Sequence, residues 1–123
     1  MQTHDKKTIL LVEDEAIIAL STSKILKNNG YDVFVCHKGT KAVDKITDEP
    51  SIDLVLMDIN LGPGIDGVEA ASEILKIKNL PIIFLTSHSE QKTVEKVKSI
   101  TSYGYVIKSS GEFVLLESIA MAL

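Results

Sequence analysis

Five residues of this 123-residue chain could do chemistry together: Glu13, Asp14, Asp58, Thr86 and Lys108. Each stands at the end of a short apolar run. Glu13-Asp14-Glu15 comes after Ile9 to Val12, Asp58 after Leu54 to Met57, Thr86-Ser87 after Ile82 to Leu85, and Lys108 after Tyr105 to Ile107. Singly, each has an ordinary explanation. Glu13 and Asp14 could cap a helix starting at Ala16, where acidic groups favour the positive end of the dipole. Asp58 could start the turn ahead of Gly62-Pro63-Gly64, Thr86 could cap a helix, and Lys108 could be a solvated loop lysine. A shared site explains four such run ends better than coincidence does. Crowded carboxylates repel unless a cation is present. A donor set of oxygens without histidine or cysteine suits Mg2+ and argues against zinc. Mg2+ would neutralise an incoming phosphoryl group, with Lys108 holding another of its oxygens and Thr86 donating to a third. One carboxylate must then be the nucleophile, since aspartate can form an acyl phosphate. Asp58 is the best placed, alone at its strand end, with Glu13 and Asp14 free to hold the metal.

The elements that would position these groups follow from two periodicities. Five runs rich in β-branched residues read as strands: Ile9 to Val12, Val33 to Cys36, Leu54 to Met57, Ile82 to Leu85 and Tyr105 to Ile107. Most are apolar throughout instead of alternating, as strands covered on both faces are. Between and after them, helical spacing predicts helices over Ala16 to Asn29, Thr40 to Thr47, Gly67 to Ile77, Glu90 to Ile100 and Glu112 to Ala122. Gly30 suits the left-handed end of the first helix. Strand and helix alternate five times, so parallel strands with right-handed crossovers are the economical solution. The expected fold is α/β: a doubly wound five-stranded parallel sheet, order 2-1-3-4-5, flanked by five helices in a flavodoxin-like three-layer sandwich. Ligands of such sheets bind at the carboxyl ends of the strands, where the five residues stand. Strand 2 ends in His37-Lys38-Gly39 and adds nothing similar, as expected of an outer strand.

Length and composition fit a single domain over residues 1–123, with 45% hydrophobic and 24% charged residues. The one cysteine, Cys36, excludes an internal disulfide and suggests a buried thiol in a reducing cytosol. The net charge is −4, and the 13 basic residues are all lysines, mostly spread singly, which does not suit direct nucleic-acid binding. No apolar run approaches the ~20 residues needed to cross a bilayer, and the chain does not open on a signal peptide. A cytoplasmic protein without membrane contact is expected. The last turn, Ala120-Met121-Ala122-Leu123, carries no charge, which leans toward a segment excised from a longer chain.

The acidic pair after strand 1, Leu56-Met57-Asp58-Ile59-Asn60, Leu85-Thr86-Ser87 and Tyr105-Val106-Ile107-Lys108 together resemble the receiver domain of two-component response regulators, in order and in spacing. The resemblance covers essentially the whole chain. It implies phosphorylation of Asp58 by a sensor histidine kinase or a phosphotransfer protein. It implies Mg2+ ligation by Asp14, Asp58, the main-chain carbonyl of Asn60 and, directly or through water, Glu13. It implies that Thr86 and Lys108 contact the phosphoryl group. A switch is implied as well: the Thr86 hydroxyl moves toward the phosphate, Tyr105 turns inward, and the surface of the fourth helix, fifth strand and fifth helix changes its partner preference. An effector of unstated identity, or a second copy bound through that surface as a homodimer, would read the change. Slow autodephosphorylation, not turnover, is the expected chemistry.

Two features depart from the family pattern. Ser109 replaces the proline that usually follows the lysine; a cis bond there would cost ~3 kcal/mol, so a trans peptide and a less firmly aimed Lys108 are expected. The span from Asp58 to Gly67 is one residue longer than usual because of Gly62-Pro63-Gly64, and His88 lies where the family tunes dephosphorylation. Other functions fit less well. An aspartyl-nucleophile phosphatase would want a second carboxylate two residues after Asp58, where Asn60 stands. A nucleotide or flavin binder would want a glycine-rich phosphate loop after a strand, and none is present. A pseudo-receiver, an unphosphorylated protein-interaction module, is weakened by the intact acidic set but kept open by the missing proline.

Overall fold

Alternate residues of a strand face opposite sides of a sheet, so a strand that is apolar throughout needs cover on both sides. The computed structural model of the protein, which describes residues 6–61, 64–86 and 104–123, provides that cover. Strands β1 (Thr8–Val12), β2 (Asp32–Cys36), β3 (Leu54–Asp58), β4 (Ile82–Thr86) and β5 (Tyr105–Ile107) form one parallel sheet in the order β2-β1-β3-β4-β5. Leu10, Val12, Val55, Met57, Ile82 and Phe84 face one side, against Ala42 and Ile46 of α2 (Gly39–Asp48) and Ala70, Ala71 and Ile74 of α3 (Gly67–Ile77). Ile9, Leu11, Leu54, Leu56, Ile83 and Leu85 face the other, against Ala19 and Leu26 of α1 (Ala16–Asn28) and Ile119 of the C-terminal helix (Glu112–Ala122). Two hydrophobic layers thus enclose the sheet. The expected helix over Glu90 to Ile100 lies outside the described residues, as do Gly62, Pro63 and His88.

The expectation of two-sided cover holds for β1, β3 and β4, every residue of which is buried. It fails for β2 and β5. Asp32 and Val35 of β2 and Tyr105 of β5 are exposed, because these strands form the two edges of the sheet and each has one strand neighbour. Cys36 is buried, as its setting suggested.

Helix ends follow local chemistry. The N–H of Tyr31 donates to the Leu26 carbonyl at 3.2 Å and that of Gly30 to Lys27 at 3.1 Å, with Gly30 at φ +90°. This paired closure satisfies carbonyls that the end of α1 would otherwise orphan, and it needs the left-handed residue that glycine supplies. At the start of α3, the Asp66 carboxylate accepts from the Glu69 N–H at 2.8 Å while the Glu69 side chain accepts from the Asp66 N–H at 3.2 Å. Asp66→Ala removes half of this reciprocal cap and is expected to lower stability by about 1 kcal/mol. A urea midpoint equal to that of the wild type would contradict this.

Candidate functional site

Register brings the chemical groups level. Val12 pairs with Met57, so Glu13 and Asp58 emerge side by side from β1 and β3. Asp58 pairs with Leu85 and Thr86 with Ile107, so Thr86 and Lys108 continue the same edge across β4 and β5. Asp58 and Thr86 are the last residues of their strands, not the first beyond them. Both are buried.

At the centre of the cluster is the Lys108 ammonium. Its Nζ lies 3.1 Å from Asp58 Oδ2 and 2.8 Å from Glu13 Oε1. The contact to Asp58 is a hydrogen bond. The contact to Glu13 is an ion pair outside hydrogen-bonding direction, which leaves the buried Oε1 without a directed donor. The other oxygen, Oε2, accepts weakly from the Glu15 N–H at 3.3 Å. Asp58 Oδ1 accepts from the Asn60 N–H at 3.1 Å, so the aspartate also has the turn-starting role that its sequence allows. Glu13 is fully buried, whereas Asp14 is exposed. Neither caps α1, whose N-cap position is Glu15 with no side-chain cap bond.

Lys108 is well aimed without a proline behind it. A short 3-10 turn (Lys108–Ser110) follows β5, with the Ser110 hydroxyl donating to the Ile107 carbonyl at 2.6 Å. Gly111, at φ +99°, then opens the C-terminal helix. No peptide bond of the described residues is cis.

Electrostatics set the carboxylates against each other. Burial raises the Asp58 carboxyl and the adjoining Glu13 carboxyl adds to the rise, so that Asp58 stands at about 7 despite Lys108. Burial also pushes Glu13 up, but its contacts with Asp58 and Lys108 outweigh this and hold it below its ordinary value. Burial opposes the charge on Lys108, yet Glu13 and Asp58 keep its ammonium above its ordinary value. The Glu13–Asp58 pair therefore carries its second negative charge reluctantly, and one lysine does not neutralise both carboxylates. Glu13, Asp14 and Asp58 each place an oxygen within 4.8 Å of the others. An all-oxygen set with excess negative charge and one undirected buried oxygen fits a hard divalent cation.

Tyr105, level with Phe84 of β4, is 37% exposed and so turned outward. Strand β2 adds no carboxylate, hydroxyl or ammonium to the cluster, as its edge position suggested, but His37 just after it reaches the main chain there: its Nδ1 lies 2.8 Å from the Glu13 carbonyl oxygen. Sequence reasoning missed this contact because the residues are 24 apart and the ring binds main chain. It also missed Gly67, whose N–H donates to the Ile59 carbonyl at 3.0 Å and whose α-carbon lies against the carbonyl of Asp58.

The family model of the response regulator receiver domain matches residues 9–120. This chain belongs to the response regulator receiver family. The receiver is 31% identical over 118 residues to the transcriptional regulatory protein PdtaR of Mycobacterium tuberculosis, covering 95% of this chain and 57% of that protein. It is 32% identical over 123 residues to the CAI-1 autoinducer sensor kinase/phosphatase CqsS of Vibrio cholerae, covering 97% of this chain and 18% of that protein. The receiver spans about half the length, or less, of the curated relatives it matches. Among solved structures, the N-terminal domain of a response regulator/sensory box/GGDEF three-domain protein from Carboxydothermus hydrogenoformans superposes with a TM-score of 0.87 at 46% identity, covering 94% of this chain and 93% of that one. No helix of the described residues is long and apolar enough to cross a membrane.

Proposed function

We propose that residues 1–123 act as one phosphoacceptor switch in which Asp58 receives a phosphoryl group. The observation that carries this reading is the contact of Lys108 with both Asp58 and Glu13, on a sheet edge where a third carboxylate also converges. The proposed donor is a phosphohistidine on a sensor histidine kinase or phosphotransfer protein. Asp58 attacks phosphorus, the O–P bond forms as the N–P bond breaks, and the departing imidazole takes its proton from solvent. Mg2+ held by Glu13, Asp14, Asp58 and the Asn60 main-chain carbonyl would supply the positive charge that lets Asp58 react as a carboxylate. Lys108 loses one partner when Asp58 becomes an acyl phosphate and turns to a phosphoryl oxygen, which carries more charge than the oxygen it leaves. Thr86, at the adjacent strand end, donates its hydroxyl to the same group, and Tyr105 moves inward from its exposed position. These shifts change the face built on β5 and the C-terminal helix, which an effector or a second copy reads. The protein is a switch, cytoplasmic in its setting, and not a turnover enzyme. Acid-labile phosphate after incubation with acetyl phosphate and Mg2+, absent without Mg2+, is the expected result. Its absence from folded protein would overturn the reading.

Phosphodonor docking is proposed beside the cluster. Ile17 and Leu20 of α1 are 84% and 61% exposed, an unusual use of large aliphatic side chains. Ile17 also borders an open groove of about 500 Å3 between α1 and the C-terminal helix, which Glu13 and Lys108 reach. Ile17→Asp is expected to slow transfer from a cognate kinase at least tenfold while leaving labelling by acetyl phosphate within twofold, a loss of roughly 1.4 kcal/mol at a contact surface. Equal losses with both donors would place Ile17 in the chemistry instead.

A further inference from the structure

His37 stands immediately after the edge strand β2, outside the acidic cluster, yet it is tied to one of the carboxylate residues of that cluster. Its Nδ1 lies 2.8 Å from the carbonyl oxygen of Glu13. A carbonyl only accepts, so Nδ1 carries the hydrogen. The N–H of Glu13 donates to the Cys36 carbonyl at 3.0 Å. Both polar main-chain groups of Glu13 are thus held by consecutive residues at the end of β2. This matters because Glu13 and Asp14 sit in the short connection between β1 and α1, whose N-cap residue, Glu15, makes no side-chain capping bond. The torsions on either side of the Glu13 carbonyl decide how the buried Glu13 side chain and the exposed Asp14 side chain are disposed toward Asp58. The imidazole fixes that carbonyl from outside the connection.

We infer that His37 is a positioning residue for cation binding: its Nδ1–H clamps the Glu13 carbonyl and so sets the Glu13–Asp14 carboxylates at the spacing the metal requires. The inference rests on the proposed Mg2+ site. Its predicted signature is a change in metal affinity without a change in the chemistry at saturation, because His37 makes no hydrogen bond or ion pair with Asp58 or Lys108. Loss of such a supporting bond typically weakens metal binding by about tenfold or more.

The test uses the full chain and its His37→Ala and His37→Asn variants, titrated with MgCl2 and followed by amide NMR shifts, with urea midpoints as a check of folding. Asparagine places an N–H donor at the same side-chain depth as Nδ1 and is expected to bind Mg2+ within about twofold of the wild type. His37→Ala is expected to bind about tenfold more weakly. With acetyl phosphate, it needs correspondingly more Mg2+ for half-maximal labelling yet reaches the wild-type rate at saturation. Wild-type affinity in His37→Ala, or equal weakening in both variants, overturns the clamp. If the wild type binds Mg2+ but acquires no phosphate, the phosphoacceptor reading fails while the affinity comparison still decides the role of His37. A wild type that binds no Mg2+ overturns both.

Discussion

Asp58→Asn is expected to abolish phosphorylation and, without Mg2+, to make the protein more stable at pH 8. The second effect follows from the raised Asp58 carboxyl, at about 7 in the folded chain against ~3.9 when unfolded. Between those values the folded state binds more protons than the unfolded state, so stability falls as pH rises through the window. By pH 8 the cost of holding Asp58 ionised beside Glu13 is on the order of 3 kcal/mol, and asparagine removes it while losing the ion pair to Lys108. A net gain of about 2 kcal/mol, or roughly 5–10 °C in Tm, is expected at pH 8, shrinking toward zero near pH 4. Glu13 and Lys108 act in other ranges. The lowered Glu13 carboxyl contributes stability that is lost as pH falls through its folded value, and the raised Lys108 ammonium contributes stability lost as pH rises through its own. Mg2+ should reverse the Asp58 effect, raising the Tm of the wild type at pH 8 and not that of Asp58→Asn. Thermal melts of both proteins at pH 5 and pH 8, with and without Mg2+, check all of this. A wild-type Tm that rises between pH 5 and pH 7 without metal would contradict it.

Gly67→Ala is expected to damage fold and site together. A Cβ there would collide with the Asp58 carbonyl oxygen and lie 2.9 Å from both the Asp58 carbonyl carbon and the Ile59 α-carbon. All are backbone atoms, so no side chain can turn aside to make room. Either α3 retreats from the sheet, loosening the layer packed by Ala70, Ala71 and Ile74, or the end of β3 shifts and moves Asp58 away from Lys108. Overpacking that only backbone movement can relieve costs about 3 kcal/mol or more. Urea unfolding should show that loss, and the fraction still folded should accept phosphate from acetyl phosphate at least tenfold more slowly. Unchanged stability with unchanged labelling would mean that α3 moves freely relative to Asp58.

The sequence makes the scaffold readable because burial leaves a direct mark: β1, β3 and β4 are apolar at nearly every position, and their helices repeat at helical spacing. The same logic places Asp58, Thr86 and Lys108, since polar residues ending buried strands have one edge to occupy. It does not distinguish Glu13 from Asp14. Both are acidic and adjacent, and only the pairing of β1 with β2, with Glu13 donating to Cys36, turns Glu13 inward and leaves Asp14 in solvent. It does not reveal His37 or Gly67, whose partners are main-chain atoms distant in sequence and carry no residue signature. Ser109 is a mixed case. The trans peptide expected from the missing proline is found, while the Lys108–Ser110 turn and the two carboxylate partners that hold the ammonium carry no residue signature.

Phosphorylation at Asp58 leaves a product that can be assigned to one residue. Incubation of the chain with acetyl phosphate and Mg2+, followed by borohydride reduction and peptide mass mapping, tests it at the level of the atom, because reduction converts an aspartyl phosphate to homoserine. Homoserine at position 58, formed only with Mg2+ and at no other carboxylate, is the predicted result. Reduction at a different residue, or none in protein that is folded and binds Mg2+, would contradict it.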